Sequence, residues 1–361
     1  MSNKNKYAVI MAGGIGSRFW PISTTAHPKQ FIDILGTGKT LIQQTYKRFR
    51  KICPPENIFV VTNEMYKGLV NEQLPDLSDE QILCEPIAKN TAPCIAYASH
   101  KINKINPDAL IAVAPSDHLI QDEDEFVKLM NIALDTSSKD ECLITLGIKP
   151  TRPDTGYGYI QFLGSEVNGL CKVKTFTEKP NLELAKTFIQ SGDFLWNAGI
   201  FVWSVKSIMS AFQAHMPEVN EIFKEGKMFY NTDKEHTFIK KAYSHCPSIS
   251  IDYGIMEKAP NVYVYAADFG WSDLGTWGSL YTILDKDYVG NAVVHSENVM
   301  MYDSSNCVVR TPANKLVVIQ GLDDYVVVES DAALLICQKS QEQMIKQFVA
   351  DVKIKKGEKF I

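Results

Sequence analysis

Apolar residues in this chain gather into short runs that alternate with longer stretches of helical period. YAVIM (7–11), NIFVVT (57–62), ALIAVAP (109–115) and CLITLG (142–147) are nearly all apolar and read as strands. Between them TLIQQTYKRF (40–49), NTAPCIAYASHKINKI (90–105) and DEFVKLMNIAL (124–134) read as helices, the second with Ile95, Ile102 and Ile105 along one side. Strands apolar on both faces, interleaved with helices, predict an α/β fold with a mostly parallel central sheet covered on both sides. Such sheets bind ligands beyond the carboxyl ends of their strands, which directs attention to the loops after Met11, Cys84 and Ala114.

From about Asn291 the texture changes to AVV, VMM, CVV, VVI, VVV and LLI, separated by SEN, DSSN, TPANK, QGLDD and ESDA. Helical period returns only in QEQMIKQFVADV (341–352). This predicts a β-rich stack, solenoid-like or sandwich-like, closed by a terminal helix, although the repeat is irregular in spacing. A boundary within 285–290 is expected, giving domains 1–287 and 288–361.

Composition narrows the functional classes. With 361 residues, 45% hydrophobic and 22% charged, the chain can bury a sizeable core as one large or two modest domains. A formal net charge of -5 argues against a broad basic surface, so neither nucleic acid nor a membrane is expected as a partner, and any bound polyanion should be small and held locally. The eight cysteines are scattered without a CxxC pair and mostly lie in apolar runs, where free buried thiols are expected. The N-terminus lacks a long apolar stretch, no later run approaches the ~18 residues of a membrane helix, and a reducing cytoplasm is the expected location.

Chemistry concentrates in AGGIGSRFWPISTTAHPKQF (12–31). Gly13, Gly14 and Gly16 follow a strand and can turn several backbone N–H groups toward an anion, with Arg18 and Lys29 adding mobile positive charge. Two common phosphate templates fail here. A dinucleotide fingerprint would need glycine at Phe19, and the P-loop imitation GTGKT (36–40) would need its first glycine at Asp33. The latter reads as a turn before a helix capped near Thr40.

The longer string carries more than a glycine turn. Gly-Gly-x-Gly-x-Arg, then Trp20-Pro21 and Pro28-Lys29-Gln30-Phe31, resembles the signature of the sugar-1-phosphate nucleotidyltransferases, in the form found in mannose-1-phosphate guanylyltransferases (GDP-mannose pyrophosphorylases). Over nearly the whole chain, EPIAKNTAPCIA (85–96) resembles the family's nucleotide-side segment and APSDH (114–118) its first metal-site motif. TGYGYI, FTEKP and FLWNAGIF resemble its sugar-phosphate side, and DFGWSDLGTW (268–277) its second metal-site motif. Lys89 departs from the pattern, which has arginine there, and lysine lacks the planar fork of arginine. The chain ends at Ile361, so the fused cupin-type isomerase domain of some relatives is not expected.

The resemblance implies a Rossmann-like, glycosyltransferase-A-like catalytic domain and a C-terminal module like a short left-handed β-helix, used for a possible homodimer. It implies transfer of GMP from GTP to mannose 1-phosphate, giving GDP-mannose and pyrophosphate, with Mg2+ held by Asp117 and Asp273. Arg18 would hold the leaving phosphates, Lys29 would reach the α-phosphate, and Lys179 would pair with the sugar phosphate. Ala12, Gly13, Gly14, Gly16, Arg18, Glu85, Asn90, Thr91, Ser116 and Asp117 would bind the nucleotide. Gly156, Tyr157, Glu178, Lys179 and Asn197 would bind the sugar phosphate, with Asn197 offering a donor and an acceptor. Taken alone, Asp117 reads equally as a helix cap or turn residue, the Glu178-Lys179 pair as solvated strand-end charge, and the aromatics Tyr157, Tyr159, Trp196 and Trp203 as core. Another sugar 1-phosphate, UTP or dTTP, or a catalytically silent nucleotide-binding subunit, are the alternatives. Retention of Arg18, Lys29, Asp117, Lys179 and Asp273 speaks against silence.

Overall fold

Every apolar run singled out above forms a strand. The computed structural model describes residues 3–164, 169–294 and 297–361. Two compact units interleave along the chain: Met1–Gly13, Thr45–Ser116 and Ile120–Trp271 form the first, and Gly14–Gln44, Asp117–Leu119 and Ser272–Ile361 the second. Most of the glycine-rich segment thus belongs to the same unit as the C-terminal strands.

The first unit is built on a nine-stranded sheet. Its strands are β1 (Lys6–Ala12), β2 (Ile58–Asn63), β3 (Ile82–Glu85), β4 (Leu110–Pro115), β6 (Leu143–Ile148), β7 (Gly158–Phe162), β8 (Leu170–Glu178), β9 (Phe194–Ser204) and β10 (Val262–Ala267), with two-residue strands β5 (Leu119–Ile120) and β11 (Trp271–Ser272) outside it. The order is β3-β2-β1-β4-β9-β6-β10-β8-β7. β3, β2, β1 and β4 are parallel, with Val9 opposite Phe59 and Val113, and β10 is parallel to β6. β9 runs antiparallel between β4 and β6, so that Trp203 faces both Ile111 and Leu143. The sheet is therefore parallel on one side and mixed on the other. Gly147 sits at the β6–β9 irregularity, where a Cβ would come within 2.7 Å of Leu195.

Helix Thr91–Ile105 packs almost its whole surface away from solvent. Ile95 and Ile102 are fully buried, whereas Ile105 is exposed because it is the last residue of the helix. The core joins Tyr7, Val9, Phe59, Val113, Phe201 and Trp203 on the sheet to Ile95 and Phe212 on helices. Burial of such side chains, at about 25 cal/mol per Å2 of apolar surface, is the main force holding the sheet and its helices together.

In the second unit β12 (Ala292–Val294), β14 (Val308–Arg310) and β16 (Tyr325–Glu329) form one parallel ladder, and β13 (Val299–Tyr302) and β15 (Val317–Gln320) another. Ala292 faces Val308 and Val308 faces Val326, as expected of a coil whose successive turns each add a strand to both sheets. Cys307, Val309, Ile319 and Val327 fill its interior. The antiparallel β17 (Leu334–Gln338) ends the coil and helix Ile345–Lys356 follows it. The segment Gly14–Gln44 contributes Phe19, Trp20, Ile34 and Leu41 to a core shared with Leu274, Trp277, Val308 and Val326. No helix among the described residues is long and apolar enough to cross a membrane.

Candidate active site

In the second unit the glycine-rich loop is fixed by Lys29. Gly16 has φ +72°, and a Cβ there would lie 2.5 Å from Lys29 Cβ, so both conformation and space require glycine. The amide of Lys29 donates to the carbonyl of Ile15 at 3.1 Å, and Ser23 Oγ donates to the same carbonyl. Lys29 itself is 4% exposed. Its ammonium lies 2.8 Å from Asp117 Oδ2 and donates to the carbonyls of Asp273 at 2.9 Å and Leu274 at 3.0 Å. An ammonium has three N–H groups, and three acceptors use them all. Lys29 is therefore not the mobile cation the sequence suggests, but a buried knot joining three distant motifs.

The turn that supplies two of these acceptors is held in place. Leu274 adopts φ +46°, unusual for a leucine, and its buried side chain packs in the same core as Phe19 and Trp277. Its amide donates to Ser272 Oγ, and the amide of Gly275 donates to Asp273 Oδ1 at 3.1 Å. Burial pushes the Asp117 carboxyl up, but Lys29 and His118 outweigh it and hold the group below its ordinary range. Arg18, half-buried, donates from Nε to Gln343 Oε1 at 3.1 Å, and its Nη groups have no partner among the described residues. Gly14 is exposed, with open space where a side chain would be.

The first unit carries the other nucleotide-side residues. Ala12 accepts a hydrogen bond from Thr62 Oγ1 at its carbonyl, and buried Ser116 donates its amide to the carbonyl of Met11 at 2.9 Å. Glu85 ends β3 with its carboxyl buried, accepting a hydrogen bond from Tyr243 at Oε1, 2.9 Å. Burial pushes its pKa up to about 7, against the lowering effect of Tyr243. Its Oε2 lies 3.8 Å from where a Cβ of Gly13 would be. Asn90, at φ 67°, caps helix Thr91–Ile105 by accepting from the Thr91 amide, and Thr91 Oγ1 accepts from the amide of Ile251. Both residues thus have structural duties. Lys89 joins them through its carbonyl, which accepts from the Ile249 amide at 3.3 Å.

On the sugar-phosphate side Glu178 and Lys179 pair at 3.1 Å; the Lys179 side chain is 61% exposed and that of Glu178 only 10%. Glu178 Oε2 is buried without a hydrogen-bond partner. A Cβ on Gly158 would clash with that oxygen and lie 3.3 Å from Asn197 Cβ, so glycine here is what lets the Glu178 carboxyl sit against the backbone. Gly156, where the main chain was expected to approach the sugar, lies in an exposed turn and donates its amide to Asp154 Oδ1 at 2.9 Å. Asn197 Oδ1 accepts from Thr145 Oγ1 and from the Gly199 amide, each at 3.1 Å, and its Nδ2 donates to Asp252 Oδ1 at 2.9 Å. The expected acceptor on Asn197 is consequently occupied, which leaves one N–H. Burial, with Glu178 close by, pushes Asp252 up to about 6.

Tyr157 packs edge-on against Trp196 at 5.0 Å and Trp271 at 5.3 Å, while Tyr159 and Trp203 are core residues. Gly158, Asp252, Thr145 and Tyr243 were missed by sequence reasoning. Only Asp252 lay in a visible polar-apolar irregularity, SISIDYGIM.

An α/β sheet with its charged and polar side chains gathered in the loops beyond the strand ends is the architecture of enzymes that join a nucleotide to a phosphate, and the family comparison gives that class. Residues 7–288 match the nucleotidyl transferase family, and residues 297–352 match the MannoseP isomerase/GMP-like beta-helix domain. The chain is 36% identical over 355 residues to the mannose-1-phosphate guanylyltransferase of Salmonella montevideo, covering 96% of this chain and 74% of that protein. It is 33% identical over 352 residues to the enzyme of that name from Escherichia coli, covering 94% and 74%. A Thermus thermophilus crystal structure, described as a mannose-1-phosphate geranyltransferase, superposes with a TM-score of 0.87 at 28% identity, covering 97% of this chain and 99% of that one. The chain belongs to the nucleotidyl transferase family, among the mannose-1-phosphate guanylyltransferases.

Proposed function

We propose that this enzyme transfers GMP from GTP to mannose 1-phosphate, forming GDP-mannose and releasing pyrophosphate. The observation that carries this reading is the Lys29 knot, which ties the PKQF, APSDH and WSDLG segments to one point. An oxygen of the sugar phosphate attacks the α-phosphorus of GTP as the bond to the leaving pyrophosphate breaks. A phosphate is already a nucleophile at neutral pH, so positioning and charge do most of the work.

Arg18, with free Nη groups, suits the leaving pyrophosphate. Lys29 acts as a positioning residue that keeps Asp117 ionised and holds the 273–274 turn. Asp117 and Asp273 would hold Mg2+. Lys29 Nζ reaches both Asp117 Oδ2 and the Asp273 carbonyl, so the two acidic residues meet at one point, and two carboxylates suit an ion that shares its shell with phosphate oxygens and water. Bound there, Mg2+ would neutralise phosphate charge and polarise the phosphoryl group.

Glu85 supports guanine. With Oε1 on Tyr243, the carboxylate still has lone pairs for two further donors beside Gly13. Guanine presents N1–H and N2–H side by side, whereas uracil and thymine present a single N–H. The Lys179 ammonium, 61% exposed and paired with Glu178, has its remaining N–H groups open to a sugar phosphate. Eight free cysteines suit a reducing cytoplasm. The outward Met300, Tyr302 and Val318 of β13 and β15 support a homodimer through the coil.

Pyrophosphate release with Mg2+, each of four nucleoside triphosphates and a panel of sugar 1-phosphates tests the reading. GTP with mannose 1-phosphate should be the best pair, and no turnover with any pair would sink it.

A further inference from the structure

One residue of the first unit does more than its sequence context suggests. Asp252 opens a π-helical turn, Asp252–Met256, a rare conformation that gathers at functional sites. The residues just before it are stitched to the nucleotide-side segment: the amide of Ala92 donates to the carbonyl of Ile249, the amide of Ile249 to that of Lys89, and the amide of Ile251 to Thr91 Oγ1. Asp252 then reaches the other way and accepts from Asn197 Nδ2 at 2.9 Å.

An amide side chain can point either way unless its partners choose. The Gly199 amide donates to Asn197 Oδ1, the single Thr145 hydroxyl proton is shared between that oxygen at 3.1 Å and the Ile200 carbonyl at 3.2 Å, and Asp252, which can only accept when ionised, takes one Nδ2 proton. The second Nδ2 proton has no partner among the described residues. Nearby, Glu178 Oε2 is an acceptor without a donor, on a side chain 10% exposed; it sits against Gly158, where a Cβ would also lie 3.3 Å from Asn197 Cβ, so the two side chains are neighbours across that glycine.

We propose that Asp252 is the positioning residue of the sugar half-site, locking Asn197 as a donor so that one sugar hydroxyl is read between Asn197 Nδ2 and Glu178 Oε2. The hydroxyl accepts from the first and donates to the second. This rests on the mannose 1-phosphate reading above and adds the charged partner that, beside the Gly199 amide on Oδ1, takes one Nδ2 proton and leaves the other for the sugar.

The test compares Asp252→Val and Asp252→Asn in the full chain, with KM measured separately for GTP and for mannose 1-phosphate. Asp252→Val should lower kcat/KM for mannose 1-phosphate about 10- to 100-fold, the effect of one charge-assisted hydrogen bond, while KM for GTP stays within about twofold. Asp252→Asn keeps an acceptor oxygen and should recover most of the loss. Among deoxymannose 1-phosphates, the one lacking the hydroxyl that is read should be used equally by wild type and Asp252→Val. A wild type that turns over mannose 1-phosphate, with Asp252→Val unchanged or equally impaired for both substrates, would overturn the assignment alone. A wild type inactive on that pair would overturn the functional reading and the assignment together.

Discussion

Glu85 gives a prediction whose size can be worked from the structure. Its carboxyl is buried at the end of β3, and its pKa rises from 4.5 to about 7. The neutral form is thus favoured in the folded state. Between these values the folded protein binds more protons at this site than the unfolded chain, so stability must fall as pH rises. At about 1.4 kcal/mol for each pH unit between the two values, ionising Glu85 costs about 3 kcal/mol, all of it present above pH 7 and absent below pH 4.5. Glu85→Gln keeps the shape and removes the titration. Urea unfolding of both proteins between pH 5 and 8, without ligand, isolates this contribution, because the remaining groups titrate alike in the pair. Relative to the variant, the wild type should lose about 2.5 kcal/mol across that range, the remainder being lost below pH 5. If the carboxylate is kept to read guanine, the variant should also lose discrimination between GTP and ITP, which lacks N2, by roughly 10-fold or more. Parallel stability curves would refute the burial argument, and an unchanged GTP/ITP ratio would refute the guanine contact.

Three further outcomes follow from the geometry. Lys29→Met leaves Asp117 unpaired and two carbonyls without donors; urea unfolding should show a loss of about 3–5 kcal/mol, and turnover should fall with it. Arg18→Ala removes only an exposed contact to Gln343, so the melting temperature should hold while kcat/KM for GTP drops about 10- to 100-fold; a folded variant with wild-type rates would remove Arg18 from the site. Gly158→Ala places a methyl 2.3 Å from Glu178 Oε2, and KM for mannose 1-phosphate, but not for GTP, should rise in steady-state assays.

The sheet was legible because its strands are apolar on both faces, and all four predicted strands of the first unit lie within a residue of their observed ends. β9 was not. Its residues alternate polar and apolar around Asn197 and Gly199, and its antiparallel insertion between β4 and β6 is a matter of topology that local pattern does not encode. The coil was visible as texture but not as a repeat, because the step from Ala292 to Val308 is shorter than that from Val308 to Val326. At the site, motifs pointed to Lys29, Asp117 and Asp273, yet two of the three acceptors on Lys29 are main-chain carbonyls, which leave no mark on residue type. The same holds for Asn197, whose donor-only role depends on Thr145, Gly199 and Asp252, partners scattered over the chain.

The most direct measurement is a competition. Equimolar GTP, UTP, ATP and dTTP are incubated with mannose 1-phosphate, glucose 1-phosphate and Mg2+, and the nucleotide sugars are separated and identified. GDP-mannose should dominate, with one pyrophosphate released for each molecule formed. A predominance of UDP-glucose, or pyrophosphate without any nucleotide sugar, would contradict it.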